Sequence, residues 1–171
     1  EIYPIIKRRN TNIQLWLVGK EPSARIKLLP SQDSSIHVTG TVDDVRGYIS
    51  QATLSIVPLR IGGGSRLKIL EAMAMKKAVI STSVGAEGLG VKHMRDILIA
   101  DSPESFSAYV IDCINDSTIR NSLGENGYSL VKEKYDWLHL ALKQNDAWEK
   151  VLKKSKKKHE NSRSRKQKSR R

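Results

Sequence analysis

Ser55-Ile56-Val57-Pro58-Leu59-Arg60-Ile61-Gly62-Gly63-Gly64-Ser65-Arg66-Leu67-Lys68-Ile69-Leu70-Glu71-Ala72-Met73 joins a short apolar run to three glycines and then to a helical pattern. The reading is a buried strand ending at Pro58, a loop, and a helix beginning near Ser65. Glycines carry no Cβ, so their N–H groups can approach a ligand closely and take dihedrals closed to other residues. The first turn of the helix adds unpaired donors and the positive end of its dipole, which suits phosphate. Arg60, Arg66 and Lys68 place mobile positive charge at the same end. Together these features point to a diphosphate. Glu71, one to two turns into the helix, would repel phosphate but could accept hydrogen bonds from both hydroxyls of a ribose. Taken singly, a triple glycine also fits a plain flexible loop, and Glu71 a solvated helix face. The pattern is neither a Walker loop nor the dinucleotide fingerprint, because Gly64 is followed by Ser65-Arg66 and no third spaced glycine occurs.

Outward from this stretch, strand-length apolar runs alternate with helical patterns. The strands are expected at Ile13–Val18, Ile36–Thr39, Thr53–Val57, Ala78–Ser81 and Ile97–Ala100, each rich in Ile, Val or Leu. Asp43 or Asp44 can cap a helix to about Ala52, and Ser102-Pro103 is an N-cap and first-turn pair for a helix to about Ile114. Asp116 or Ser117 opens the next, through Val131. Asp136 opens the last, where Trp137, Ala141, Trp148, Val151 and Leu152 recur at helical spacing. The first residues read as a helix already under way. This order predicts an open, doubly wound α/β parallel sheet, in which ligands bind beyond the carboxyl ends of the strands.

The chain has 171 residues and a formal net charge of +12, but that charge is unevenly placed. Residues 150–171 hold 12 of the 30 basic residues and one of the 18 acidic ones, so the rest is nearly balanced. Two segments follow: a domain over 1–152, and a basic tail over 153–171 that has nothing apolar to bury and is expected to be disordered. The plain reading is a solvated extension, and the partner such a tail could take is an anionic membrane surface. With no interleaved aromatics the tail offers no geometry for specific nucleic-acid recognition. No apolar run is long enough to span a bilayer. The single cysteine, Cys113, excludes an intramolecular disulfide, and the expected setting is cytoplasmic, peripheral to the membrane where the tail engages it. The four histidines and Cys113 show no metal-ligand spacing, and no nucleophilic triad is ordered. His93 is a weak candidate for a substrate contact. Trp16, Trp137 and Trp148 are expected in the core or against a further domain.

The run from Pro58 to Ala74 resembles the donor-site motif of the family 4 glycosyltransferases. Ala78-Val79-Ile80-Ser81-Thr82 and Gly85-Ala86-Glu87-Gly88-Leu89 resemble that family's next strand and loop, Leu17-Val18-Gly19 and Val38-Thr39-Gly40-Thr41-Val42 its earlier strand ends, and Tyr135-Asp136-Trp137 the start of its last helix. The resemblance covers residues 1 to about 150. It implies the C-terminal, Rossmann-like half of a GT-B fold, and a retaining enzyme that uses a nucleotide sugar without metal or other cofactor. It matches Glu71 to the glutamate holding the ribose hydroxyls. Gly62, Gly63, Gly64 and the amides of Ser65, Arg66, Leu67 and Lys68 match the stretch at donor sugar and diphosphate, with Arg66 and Lys68 as the expected catalytic cations. Gly19 and the Gly40–Val42 segment fall near phosphates and base, and Glu87 beside the donor.

Two departures stand out. Relatives often carry two glutamates with seven residues between them, and the first of those positions is Gly63 here. The family's basic pair for the diphosphate, its first strand and its acceptor domain are expected before Glu1. The expected activity is therefore that of a donor domain partnered by an N-terminal acceptor domain and inactive alone. The alternatives are a catalytically idle nucleotide-binding or scaffolding domain, and nucleic-acid binding through the tail.

Overall fold

All five apolar runs form strands, four of them shorter than the run and the second one residue longer, and all ladders are parallel. The computed structural model describes residues 1–168; positions 169–171 of the expected tail lie outside the described residues. In chain order the elements are α1 (Ile2–Arg9), β1 (Leu15–Val18), α2 (Ala24–Lys27), α3 (Leu29–Gln32), β2 (Ile36–Gly40), α4 (Arg46–Gln51), β3 (Ser55–Val57), α5 (Leu67–Ala74), β4 (Val79–Ser81), α6 (Ser83–Ala86), β5 (Leu98–Ile99), α7 (Pro103–Asn115), α8 (Ser117–Lys134) and α9 (Trp137–Lys168). Residues 1–131 form one unit, and the chain from Lys132 onward forms a second.

The single expected sheet is present as two ladders. β1 pairs with β2 (Leu15 with Ile36, Leu17 with Val38), and a bulge then sets Val18 against Gly40. The second ladder has the order β3-β4-β5. Among the described residues no ladder joins β1 to β3, so each keeps one unpaired edge.

What ties the two ladders together is α1. Ile6 is buried in the core with Ala78, Ile80, Leu98, Phe106, Val110 and Leu123, and Ile13, Leu54 and Ile56 pack against that cluster. Lys7 pairs with Asp33. The Tyr3 hydroxyl donates to the Ile13 carbonyl at 3.1 Å and meets Ser35 Oγ at 2.7 Å. At the other end, Ser107 Oγ donates to the Ile2 carbonyl at 3.2 Å. Pro4 is tolerated because its missing N–H lies in the first turn, where it would be unpaired anyway.

The caps expected for the last three helices are in place, whereas α4 starts at Arg46 with Val45 at its N-cap and no side-chain cap bond, so neither Asp43 nor Asp44 is its cap. Ser102 Oγ accepts from Ser105 N, Asp116 Oδ1 from Thr118 N, and Asp136 Oδ1 from Leu138 N. α8 lies close against the end of α5, since a Cβ on Gly124 would collide with the Lys76 carbonyl. In the second unit, α9 runs on past the boundary at Leu152, through Lys168. No glycine or proline interrupts it, and Lys, Arg, Gln and Glu are all good helix formers, so nothing there stops the helix at Leu152.

Candidate functional site

The glycine loop leaves the carboxyl end of β3 and is pinned at its base to β4: Thr82 N donates to the Val57 carbonyl at 3.3 Å, and Thr82 Oγ1 donates to that of Leu59. Beyond that point Gly62, Gly63, Gly64 and Ser65 are exposed. Gly64 has φ +85°, a left-handed conformation that fits glycine. The helix therefore starts at Leu67, two residues later than its pattern predicts, with Arg66 at the N-cap. The N–H groups of Ile69 and Leu70 both turn back to the Arg66 carbonyl. Those of Gly63, Gly64 and Ser65 meet no acceptor among the described residues.

Arg66 and Lys68, both expected as mobile cations, are placed differently. Lys68 is exposed. The Arg66 side chain is only 7 % exposed, and its guanidinium lies beneath the loop. Nη1 donates to the Gly63 carbonyl and Nη2 to the Gly62 carbonyl, each at 3.2 Å. Among the described residues its one ion pair is with Glu87, at 3.5 Å. Glu87 ends α6, whose N-cap Thr82 accepts from Gly85 N at 3.0 Å. Gly85 sits so close to Ser81 Oγ that no side chain fits. Ser83 N donates to Asp101 Oδ1 at 2.8 Å, fixing α6 to the carboxyl end of β5. The fold thus joins Gly62, Gly63, Arg66 and Glu87 directly. Leu67 and Glu71 follow on α5, and Glu71 is exposed with no partner among the described residues.

Gly19 and Gly40 lie at the carboxyl ends of β1 and β2, with Val42 just beyond. No hydrogen bond among the described residues joins them to the glycine loop. Gly40 has φ +71° and lines a cleft of about 410 Å³ with Val38, Thr39 and Thr41. Gly19 and Val42 are not in its lining. Glu21, Pro22, Lys27 and Pro30 complete the cleft and were not singled out from the sequence. Their signal was positional, a proline-broken loop after a strand end. Glu21 takes a positive φ of 50°, uncommon for a non-glycine residue.

His93 is engaged inside the fold. Nδ1 accepts from Ile99 N at 2.9 Å, and Nε2 lies 3.4 Å from the Tyr109 hydroxyl. Trp16 stacks on His37 at 4.3 Å but stays half exposed. Trp137 and Trp148 are exposed as well, so none of the three is in the core. Among the described residues no group of three or more His, Cys, Asp or Glu is placed to hold a metal ion.

The model of the family "Glycosyl transferases group 1" matches residues 1–116. An uncharacterized protein from the cps region of Klebsiella pneumoniae is 24 % identical over 143 residues, covering 80 % of this chain and 37 % of its own length. An uncharacterized glycosyltransferase of Methanocaldococcus jannaschii is 32 % identical over 97 residues, covering 56 % and 27 %. The chain thus spans about a third of the length of these relatives. Among solved structures, the C-terminal domain of a group 1 glycosyl transferase (LpcC) from Francisella tularensis superposes with a TM-score of 0.66 at 23 % identity, covering 78 % of this chain and 75 % of that one. Anabaena HepE, solved with UDP and glucose, gives 0.74 at 15 % identity, covering 86 % and 43 %. The chain belongs to the group 1 glycosyl transferases, and its fold is that of the C-terminal Rossmann-like domain of their GT-B enzymes.

Proposed function

We propose that this chain is the donor domain of a retaining glycosyltransferase, binding a nucleoside diphosphate sugar while an N-terminal domain holds the acceptor. The observation that carries the reading is the glycine loop, whose exposed N–H groups at the start of α5 lie one to two turns before the unpartnered Glu71. The N–H groups and Lys68 would stabilise the charge of the departing diphosphate, and Glu71 would hold the ribose hydroxyls. The cleft at Gly40–Thr41 offers room for the base. Fixing the sugar against the acceptor supplies orientation. HepE, of the same fold, was solved with UDP and glucose, which supports a uridine nucleotide as the first choice. The positive groups make a divalent metal unnecessary in this reading.

Calorimetry with UDP, GDP, ADP and their sugar conjugates, in EDTA and again with magnesium, tests the proposal. It expects one nucleotide series to bind in EDTA. No binding in any series, or binding only with magnesium, would overturn it.

A further inference from the structure

Arg66 carries an imbalance that the donor reading leaves unexplained. Its side chain is 7 % exposed, yet its nearest counter-charge is a single Glu87 oxygen at 3.5 Å on a side chain 76 % exposed. Its Nε is buried with no acceptor among the described residues. Removing a cation from water is costly unless it is paired and hydrogen-bonded, and this one is short of negative charge.

What the guanidinium does hold is backbone. Its two terminal nitrogens take the carbonyls of Gly62 and Gly63. In a trans peptide the C=O of one residue and the N–H of the next point to opposite sides. Drawing those two carbonyls down onto Arg66 therefore turns the N–H groups of Gly63 and Gly64 outward, to the exposed side of the loop. Gly64, in the left-handed region, continues the turn. Consecutive N–H groups aimed the same way make an anion-binding concavity, and here an under-neutralised charge lies behind them.

We propose that Arg66 is a positioning residue for the donor's diphosphate: its planar fork sets the direction of the Gly63 and Gly64 N–H groups, and it does not itself touch phosphate. The proposal rests on the donor reading for the identity of the anion, but the fork's action on the loop is independent of any ligand. Lysine keeps the charge but lacks the fork, so it separates the two roles.

The test uses the full chain, ¹⁵N NMR of the free protein, and calorimetry with inorganic pyrophosphate in EDTA. Arg66→Lys should move the Gly63 and Gly64 amide resonances and lower pyrophosphate affinity about tenfold or more, as far as Arg66→Gln does. Unmoved amides with affinity kept within about twofold would overturn it, because charge alone would then suffice. A measurement on the unsubstituted chain guards against variants that do not fold. The Arg66 Nη protons should stay slowly exchanging at saturating pyrophosphate; their release on binding would show the guanidinium leaving the loop for the ligand and would overturn the proposal. If pyrophosphate and UDP both fail to bind, the donor reading falls, while the amide shifts of the free protein still decide whether the fork sets the loop.

Discussion

Glu71 and Arg66 show how differently two charged residues five positions apart can be used. Glu71 is exposed with no partner among the described residues, so its removal should be felt only by ligands that reach it. Glu71→Gln is expected to weaken UDP binding by about 1.5–3 kcal/mol, the worth of a charged hydrogen bond, and to leave pyrophosphate binding unchanged. Calorimetry with the two ligands side by side checks this, and equal losses would mean that Glu71 acts on the helix instead. The sequence made Glu71 and the glycines legible, because a strand end, a missing Cβ and a helix start each leave a local mark. It hid the placement of Arg66. Arginine is almost never buried without a partner, and the partners of this one are the carbonyls of Gly62 and Gly63, which no sequence spacing announces. Glu87, known from resemblance alone, is brought to the loop by the tight turn through Gly85, which no spacing rule reports.

At the scale of elements, the legible ones were those with a cap or a sustained period. The caps of α7, α8 and α9 are where Ser102, Asp116 and Asp136 announce them. α2, α3 and α6 are four residues each, too short for a 3.6-residue period to repeat, and went unread. α8 offers a test of which force wins inside a helix. Alanine at position 124 would gain about 1 kcal/mol of helix propensity over glycine. Its Cβ, however, would strike the Lys76 carbonyl, which is backbone and cannot swing aside. Gly124→Ala should therefore lose about 1–3 kcal/mol net by overpacking, read as a lower midpoint in urea. α1 makes a second prediction through its anchor. Hydrogen bonds from Lys7 and Ser35 hold the Asp33 carboxyl at about 2, below its ordinary 3.8. A carboxyl lowered by folding stabilises the protein in its ionised form, so this contribution is complete above pH 3.8 and is lost as the pH falls toward 2. Thermal melts over that window should fall less steeply for Asp33→Asn than for the natural chain.

At the scale of the whole molecule, the order of strands and helices fixed the fold class, but not the separation into two ladders, which depends on which strand edges find neighbours. The charge distribution was fully legible, being a matter of counting. Its expected consequence is salt-dependent attraction to anionic surfaces, worth about 1 kcal/mol for each basic residue near the surface. The full chain should co-sediment with phosphatidylserine-containing vesicles at low ionic strength and release near about 0.5 M salt, where screening is short-ranged. A chain ending at Leu152 should not bind, and neutral vesicles should capture neither. The way α1 is built in carries a further consequence, in time. Ile6 packs with Phe106, Val110 and Leu123, so a ribosome must add more than a hundred residues before that side chain meets its last neighbour. At about 5–20 residues per second, the apolar face of the first helix waits roughly 6–25 s in the open. Birth, more than maturity, is when this domain most needs a chaperone.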